Sequence, residues 1–546
     1  MLFKQEQGFI MHTSFQMLLQ QKRGWCWLLA ALLMQFCLIT PGYAAPGSAP
    51  EPVETQSIFK TFENTIDKVF VQMNTVLEPA VFLPVPIIVP DEEGKMHTIP
   101  LIVLVLIIGC VGFSLYFKFV NLRLFGHAIQ VVSGKYDDKN DKGEITSFQA
   151  LASALSATVG LGNIAGVAVA MTLGGAGAVF WMWVMAFFGM SMKFVECSFG
   201  VLYRQVDAKG HVLGGPMVYL KAGFAERFGA KSALGTLGKV LSVIFACCII
   251  LGSLGGGNLF QSNQSYQLVA SQVSFFDTYP LAYGVCIAVL CGAVIIGGIQ
   301  RIGSLTSKLV PAMCIFYCVV CLFIVVSNYT LIPDMFIKIF TQAFSPEAGL
   351  GGVVGVMIAG IKRAAFSNEA GLGSSAIAHA AAKTNEPVRE GLVAMLEPFI
   401  DTLVVCTMTA LAILITNAHV NASEGGIAIT AYAFGTVHPL MPYMLTIAVV
   451  VFAFSTLISW SYYGERAAEF LGGPKAVMPF KLIFISFAAF APLVGLNNAI
   501  TFSEIMILVL AFPNIIGLLF LAPKLQGLLQ DYTARLKAGQ MPGISR

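Results

Sequence analysis

The stretch SATVGLGNIAG, Ser156–Gly166, places three glycines and an asparagine within the seven residues Gly160–Gly166, inside a run otherwise apolar enough to cross a bilayer. Glycine weakens a helix by about 1 kcal/mol relative to alanine, and an unpaired amide in hydrocarbon costs several kcal/mol more. The spacing therefore predicts a helix interrupted at Gly160–Gly162, with peptide N–H groups freed at the start of one half and carbonyls at the end of the other. The N–H end carries positive potential and suits a carboxylate. The carbonyls are hard oxygen ligands that suit a small cation, and Asn163 adds a side-chain oxygen. Such a break is equipped for a zwitterion and a cation together.

The rest of the chain puts that break in a membrane. Of 546 residues, 57% are hydrophobic and only 11% charged, with a mean hydropathy of +0.78. A soluble chain carries roughly twice that charged fraction. The fold class is an all-α polytopic membrane protein. The net charge of +3 is spread over short connections rather than gathered in a patch, which excludes nucleic acid as a partner. Cys318 and Cys321 have redox-like spacing but lie in the apolar run PAMCIFYCVVCLFIVV, where thiols act as small hydrophobes.

At the N-terminus, Lys22 and Arg23 precede an apolar run and then Gly42, Ala44 and Ala45, the pattern of a signal peptide over residues 1–45, with an extra membrane anchor as the alternative. Residues 46–99 are then an exported segment. Within it, Ile58, Phe59, Phe62, Ile66, Val69, Phe70 and Met73 recur like one face of a helix lying on the outer membrane surface.

From residue 100, apolar runs of the length that crosses ~30 Å of hydrocarbon recur. They lie near 100–121, 147–173, 176–203, 238–262, 279–299, 303–327, 348–373, 390–416, 440–463, 476–497 and 502–523, eleven in all. The stretch 425–439 is shorter and more polar and reads as an external half-helix. The even-numbered connections contain one basic residue, Lys338, while the odd-numbered ones and the tail 524–546 carry many, among them Arg123, Arg204, Arg301, Lys383 and Arg466. Basic residues stay cytoplasmic. The tail is then inside and the first span, 100–122, begins outside, as a signal peptide requires.

A second break is marked by FSNEAGLGSS, where Gly371-Leu372-Gly373 echoes Gly160-Leu161-Gly162. Interrupted spans at matching places in two halves point to a transporter's central site. With five spans per half, 147–327 and 348–523 would be inverted repeats. Lys362, Arg363, Asn368 and Glu369 crowd the second break, and Glu369 is expected to hold Lys362 or Arg363 in an internal ion pair. An intramembrane enzyme would need a nucleophile–base pair or metal cluster, and the seven histidines show no ligand spacing. A channel would share the broken helices but is usually built by oligomers around a pore.

The motifs TVGLGNIAGVAVAMTLGGAGAVFWMWVMAFFGMSMKFVE, GGPMVYL, KRAAFSNEAGLGSSAIAHAAAKTNEPVREGLVAMLEPFIDT and FAFSTLISWSYYGE resemble, in order, those of the alanine or glycine:cation symporter family. The likeness covers roughly residues 100–530 and leaves out the signal peptide and exported segment. It implies sodium-coupled uptake of small neutral amino acids across a bacterial cell (inner) membrane, without an enzymatic activity or a resident cofactor. It also implies the five-plus-five inverted repeat of the bacterial leucine transporter with one leading helix. By that resemblance the amides of Leu161 and Gly162 hold the substrate carboxylate, and Asn163 is a sodium ligand. A second sodium takes the backbone oxygens of Ser156 and Val159 and the hydroxyls of Ser455 and Thr456. Thr158, Gln261, Phe366, Thr456 and Trp460 match pocket-lining positions. Some members carry an acid where this chain has Thr158, which leaves sodium stoichiometry and proton involvement open. Alanine, glycine, serine and glutamine, and the D-enantiomers, stay unranked, as does the oligomeric state.

Overall fold

The computed structural model describes residues 53–86, 98–138, 141–345, 352–422 and 425–541, so the signal-peptide region lies outside the described residues. The chain divides into two compact units, Met1–Phe62 and Glu63–Arg546. Of the first, only the opening turns of helix α1 (Val53–Val81) are described.

The second unit is a helical bundle. Among the described residues, seven helices are long and apolar enough to cross a membrane, or eight if one bent pair is a single span. Each of the eleven expected runs contains helix. Those near 100–121, 279–299 and 348–373, however, hold only the shorter helices Leu101–Tyr116, Pro280–Ile295 and Gly352–Asn368. Length and composition therefore support seven or eight crossings. The first is cut short because the chain before it is extended, Pro84–Pro86 pairing antiparallel with Thr98–Pro100. The third ends where the helix breaks.

The bent pair is the stretch read first. Helix α2 (Ser147–Thr158) starts from a capping box, with Thr146 Oγ1 accepting from the Gln149 amide and Gln149 Oε1 from the Thr146 amide. It stops at Thr158, and after a single 3₁₀ turn at Leu161–Asn163 the chain resumes as α3 (Ala165–Gly174), bent by 56°. Helix α4 (Gly177–Leu202) follows. Helices α5 (Ala233–Leu254) and α6 (Phe260–Ala270) form one rod joined by the π-turn Gly255–Leu259.

The second break separates α7 (Gly352–Asn368) from α8 (Ser375–His379). Between them Gly371 and Gly373 sit at φ 94° and 76°, a region open to glycine, and Glu369 adopts φ 57°. A non-glycine residue held there costs about 1–3 kcal/mol, a strain characteristic of functional sites. Helix α9 (Pro387–Ala394) leads through Leu396–Pro398 and a π-helical stretch, Phe399–Cys406, into Thr407–Ile415. Helix α10 (Met441–Gly472) and helix α11 (Leu496–Leu508) complete the surroundings of the breaks. The 425–439 stretch holds a helix, Ile427–Gly435, whose Thr430 hydroxyl donates to the Ile164 carbonyl just past the first break.

Helix α1 forms as expected, and only part of the expected face turns inward, Ile66 and Phe70 packing on the core. Phe70, Asn74 and Val81 are buried, whereas Val69 and Met73 are 49% and 37% exposed. The helix docks on α11 rather than lying alone, and the partner selects the face.

Candidate functional site

The interrupted turn at Gly160–Asn163 is enclosed by side chains from three other segments. The Leu161 amide donates to Gln261 Oε1 at 3.0 Å, and Gln261 Nε2 returns a bond to the Gly256 carbonyl in the π-turn. The Gly160 amide donates to Asn163 Oδ1 at 2.9 Å. Two amides released by the break are thus met by the carboxamides of Gln261 and Asn163. A Cβ on Gly160 would lie 2.5 Å from Thr456 Oγ1 and 3.0 Å from Gln261 Oε1, so the break admits no side chain there. Gly162 faces Phe366, whose ring packs edge-on against Phe260 at 5.0 Å.

Helices α2 and α10 are cross-braced beside the break. Ser156 Oγ donates to the Ser455 carbonyl at 2.7 Å, and Thr456 Oγ1 donates to the Ser156 carbonyl at 3.0 Å. Ser455 Oγ turns back to the Phe452 carbonyl of its own helix. The Thr158 hydroxyl likewise reaches only Leu155 of α2, at 3.4 Å. Val159 is fully buried at the end of α2. Leu161, Gly162, Gln261, Phe366, Ser156, Ser455 and Thr456 are therefore brought around one point, while the Thr158 hydroxyl is turned back along α2.

Trp460 is buried at 1% exposure. It packs against Gly257 in the π-turn, and its Nε1 donates to Glu369 Oε1 at 3.1 Å. That bond corrects the expected role of Glu369, which takes Trp460 and Ser374 and has no basic ion-pair partner among the described residues. Lys362 and Arg363 both pair with Glu504 of α11, at 3.0 and 2.5 Å. A basic residue at i and an acid at i+7 share a face only while the helix lasts, and the backbone leaves the helix at Glu369.

Asn163 leads to a residue that the sequence motifs leave unassigned. Its Nδ2 donates to Asp401 Oδ1 at 2.6 Å and to the Asp401 carbonyl at 3.1 Å. Asp401 Oδ2 accepts from Ser367 Oγ at 2.9 Å and from Thr402 Oγ1 at 2.7 Å, and Asn368 Nδ2 reaches Thr402 Oγ1 at 3.0 Å. All five side chains are buried at 1% exposure or less. Among the described residues no basic side chain pairs with Asp401. An unpaired carboxylate in such a place, with the Ser367 and Thr402 hydroxyls and its own backbone carbonyl beside it, supplies hard oxygen ligands that suit a small cation. It sits in a π-helical stretch, a distortion frequent at functional sites. The sequence signal was an acid inside an apolar run.

A second buried cluster lies beyond α8. Lys193 of α4 pairs with Glu397 at 3.0 Å, and His379 joins Glu397 through Nε2 and Glu390 through Nδ1, both at 2.7 Å. Ser147, at the start of α2, donates to Glu390 Oε2 at 2.6 Å. Glu196 Oε1 accepts from the Gly373 amide at 3.0 Å and from Asn514 Nδ2 at 2.6 Å. Cys197, His379 and Glu397 offer ligand atoms within 4.8 Å of one another. Both imidazole nitrogens, however, already face carboxylates, an arrangement that two ionised glutamates satisfy only with a doubly protonated ring. Such a ring has no lone pair for a metal. The cluster is a structural ion chain tying the second break to the start of the first broken helix.

The comparisons agree with a carrier. The model of the sodium:alanine symporter family matches residues 88–546. The chain is similar to the sodium/alanine symporter AgcS of Methanococcus maripaludis, with 41% identity covering 77% of this chain and 91% of the relative. It is 32% identical to the probable sodium/glutamine symporter GlnT of Bacillus subtilis, over 80% of this chain and 89% of the relative. A crystal structure of MhsT in complex with L-phenylalanine matches at a TM-score of 0.45 and 14% identity, covering 70% of this chain and 98% of that one. The relatives named for an activity are carriers, not enzymes. With its helices long and apolar enough to span a membrane, the chain is a multi-span transporter that belongs to the sodium:alanine symporter family.

Proposed function

We propose that the protein couples sodium entry to uptake of small neutral amino acids, alanine and glycine foremost, by alternating access. The observation that carries this reading is the convergence of the Leu161 amide, the Asp401 carboxylate and the Ser156–Thr456 brace on one interrupted helix. One sodium takes Asn163, Asp401, Ser367 and Thr402. A second takes the backbone oxygens of Ser156 and Val159 with Ser455 and Thr456. The amino acid docks its carboxylate on the Leu161 and Gly162 amides, displacing Gln261. Phe366 and Trp460 close the side-chain end, with Thr158 at its margin. A one-methylene difference is worth only ~1–3 kcal/mol, so larger side chains are refused by closure rather than by affinity.

The two breaks, α2/α3 and α7/α8, are the counterparts in two inverted five-helix repeats behind a leading helix. The break at 369–374 and the residues beyond it lie inward, the C-terminus is cytoplasmic and residues 46–99 lie outside. Sodium and substrate each favour the same state, which is what couples them.

The test is uptake of labelled L-alanine, D-alanine and glycine into proteoliposomes under an inward sodium gradient, with potassium as the control. Accumulation with sodium alone is expected, with mutual competition between alanine and glycine. Equal uptake in potassium would refute sodium coupling and make a proton gradient the next driving force to test. Thr456→Val keeps the shape and removes one hydroxyl. It is expected to raise the sodium concentration for half-maximal uptake by about tenfold, the ratio corresponding to one hydrogen-bonding ligand.

A further inference from the structure

We infer that the segment Asp67–Phe82, ahead of the first membrane helix, is a latch on the outer gate of the carrier. The inference rests on the alternating-access reading and the orientation given above.

The gate is formed by three helices. Arg363 of α7, only 3% exposed, gives Nη2 to Glu504 of α11 at 2.5 Å, while Lys362 takes the other Glu504 oxygen at 3.0 Å. The guanidinium stands 5.2 Å from the Phe366 ring. It also fills the space over Gly166 of α3, where a Cβ would meet its Cδ at 2.9 Å. Helices α3, α7 and α11 are thereby closed over Phe366 on the side away from the inner ion chain. Access from outside requires α7 to part from α11.

The latch holds both sides of that seam. Asp67 Oδ1 accepts from the Gly495 amide and from Asn498 Nδ2, each at 2.8 Å, and so caps the first turn of α11. Asn74 Nδ2 donates to the Asn498 carbonyl at 3.1 Å. Phe70 packs edge-on against Phe502 at 5.0 Å. At the other end, the Phe82 ring lies 4.2 Å from Lys362 Nζ, a cation–π contact to the helix across the seam. A segment that grips α11 through Asp67, Phe70 and Asn74 and α7 through the Phe82 ring is a tether parallel to the Glu504 pairs. Opening the gate must part Phe82 from Lys362 as well as Glu504 from its two partners.

Two arms test this on the full-length protein. In the first, Phe82→Cys and Lys362→Cys are joined by a reducible bis-methanethiosulfonate linker. Uptake is expected to fall at least about tenfold when joined and to recover on reduction, because a covalent tie replaces a contact that must break. Equal uptake before and after reduction overturns the latch. So does failure of the pair to join, since the two side chains would not be seated together. In the second arm, Asp67→Ala is placed in a chain whose only cysteine is Cys406, beside Asn163 at the site. Labelling of Cys406 from outside by an impermeant thiol reagent is expected to quicken by about tenfold, the ratio corresponding to one charge-assisted hydrogen bond. An unchanged rate overturns the proposal. Labelling reads gate opening without uptake, and sodium dependence of the unaltered protein reads the carrier assignment, so the two failures are distinguishable.

Discussion

Asp401→Asn is expected to reduce sodium-dependent uptake by at least ~100-fold while leaving the folded protein intact, since losing one partner of a desolvated charge pair costs about 2–5 kcal/mol. The replacement has the same shape and retains one oxygen for the hydroxyls of Ser367 and Thr402, while its new Nδ2 faces Asn163 Nδ2 and removes that amide's acceptor. What it removes is the charge that makes a cluster of neutral oxygens attractive to a monovalent cation. The size-exclusion profile should match the parent with a thermal midpoint lowered only modestly, by the buried donor left unpaired at Asn163, and a sodium titration of uptake should flatten. Full uptake with an unchanged sodium midpoint would refute the Asp401 site and leave the Ser455–Thr456 pair as the only sodium position.

Lys193→Met should act on folding instead of transport. Lys193 and Glu397 are both fully buried, and removing one member of such a pair costs about 3–5 kcal/mol because the other charge stays unpaired. The yield of monodisperse protein and its thermal midpoint are expected to drop sharply. Lys193→Met combined with Glu397→Gln should recover much of the loss, since two neutral groups of similar volume are tolerated where one lone charge is not. A single variant as stable as the parent would mean that Glu397 does not depend on Lys193 for its charge, with His379 and Ser375 sufficing.

The first break was legible because glycine's helix penalty is local: Gly160 and Gly162 announce it without reference to anything distant. The helix at Val53–Val81 was legible from its local apolar periodicity, but its docking face was not. Apolar residues occur on more than one side of α1, and only contact with Phe502 and Asn498, more than four hundred residues on, selects Phe70 and Asn74 over Val69 and Met73. The partner of Lys362 and Arg363 failed in the same way. Glu369 was the near acid, whereas Glu504 is 141 residues from Arg363 and becomes a neighbour only through the fold. Asp401 could have been found, because any acid within an apolar span is a site hypothesis. The motif resemblance, however, implies a sodium ligand set that does not include it.

The bond between the Leu161 amide and Gln261 Oε1 also bears on how firmly cargo is held. On the proposed reading an arriving carboxylate does not meet a bare N–H but displaces a ligand the protein carries within itself. Part of the attraction is consumed in the exchange, so the apparent affinity is weaker than the amides alone would give. Departure is eased by the same amount, because Gln261 stands ready to take the amide back. An internal competitor of this kind trades tight capture for turnover, a useful bargain for a carrier working at substrate concentrations that already fill its site.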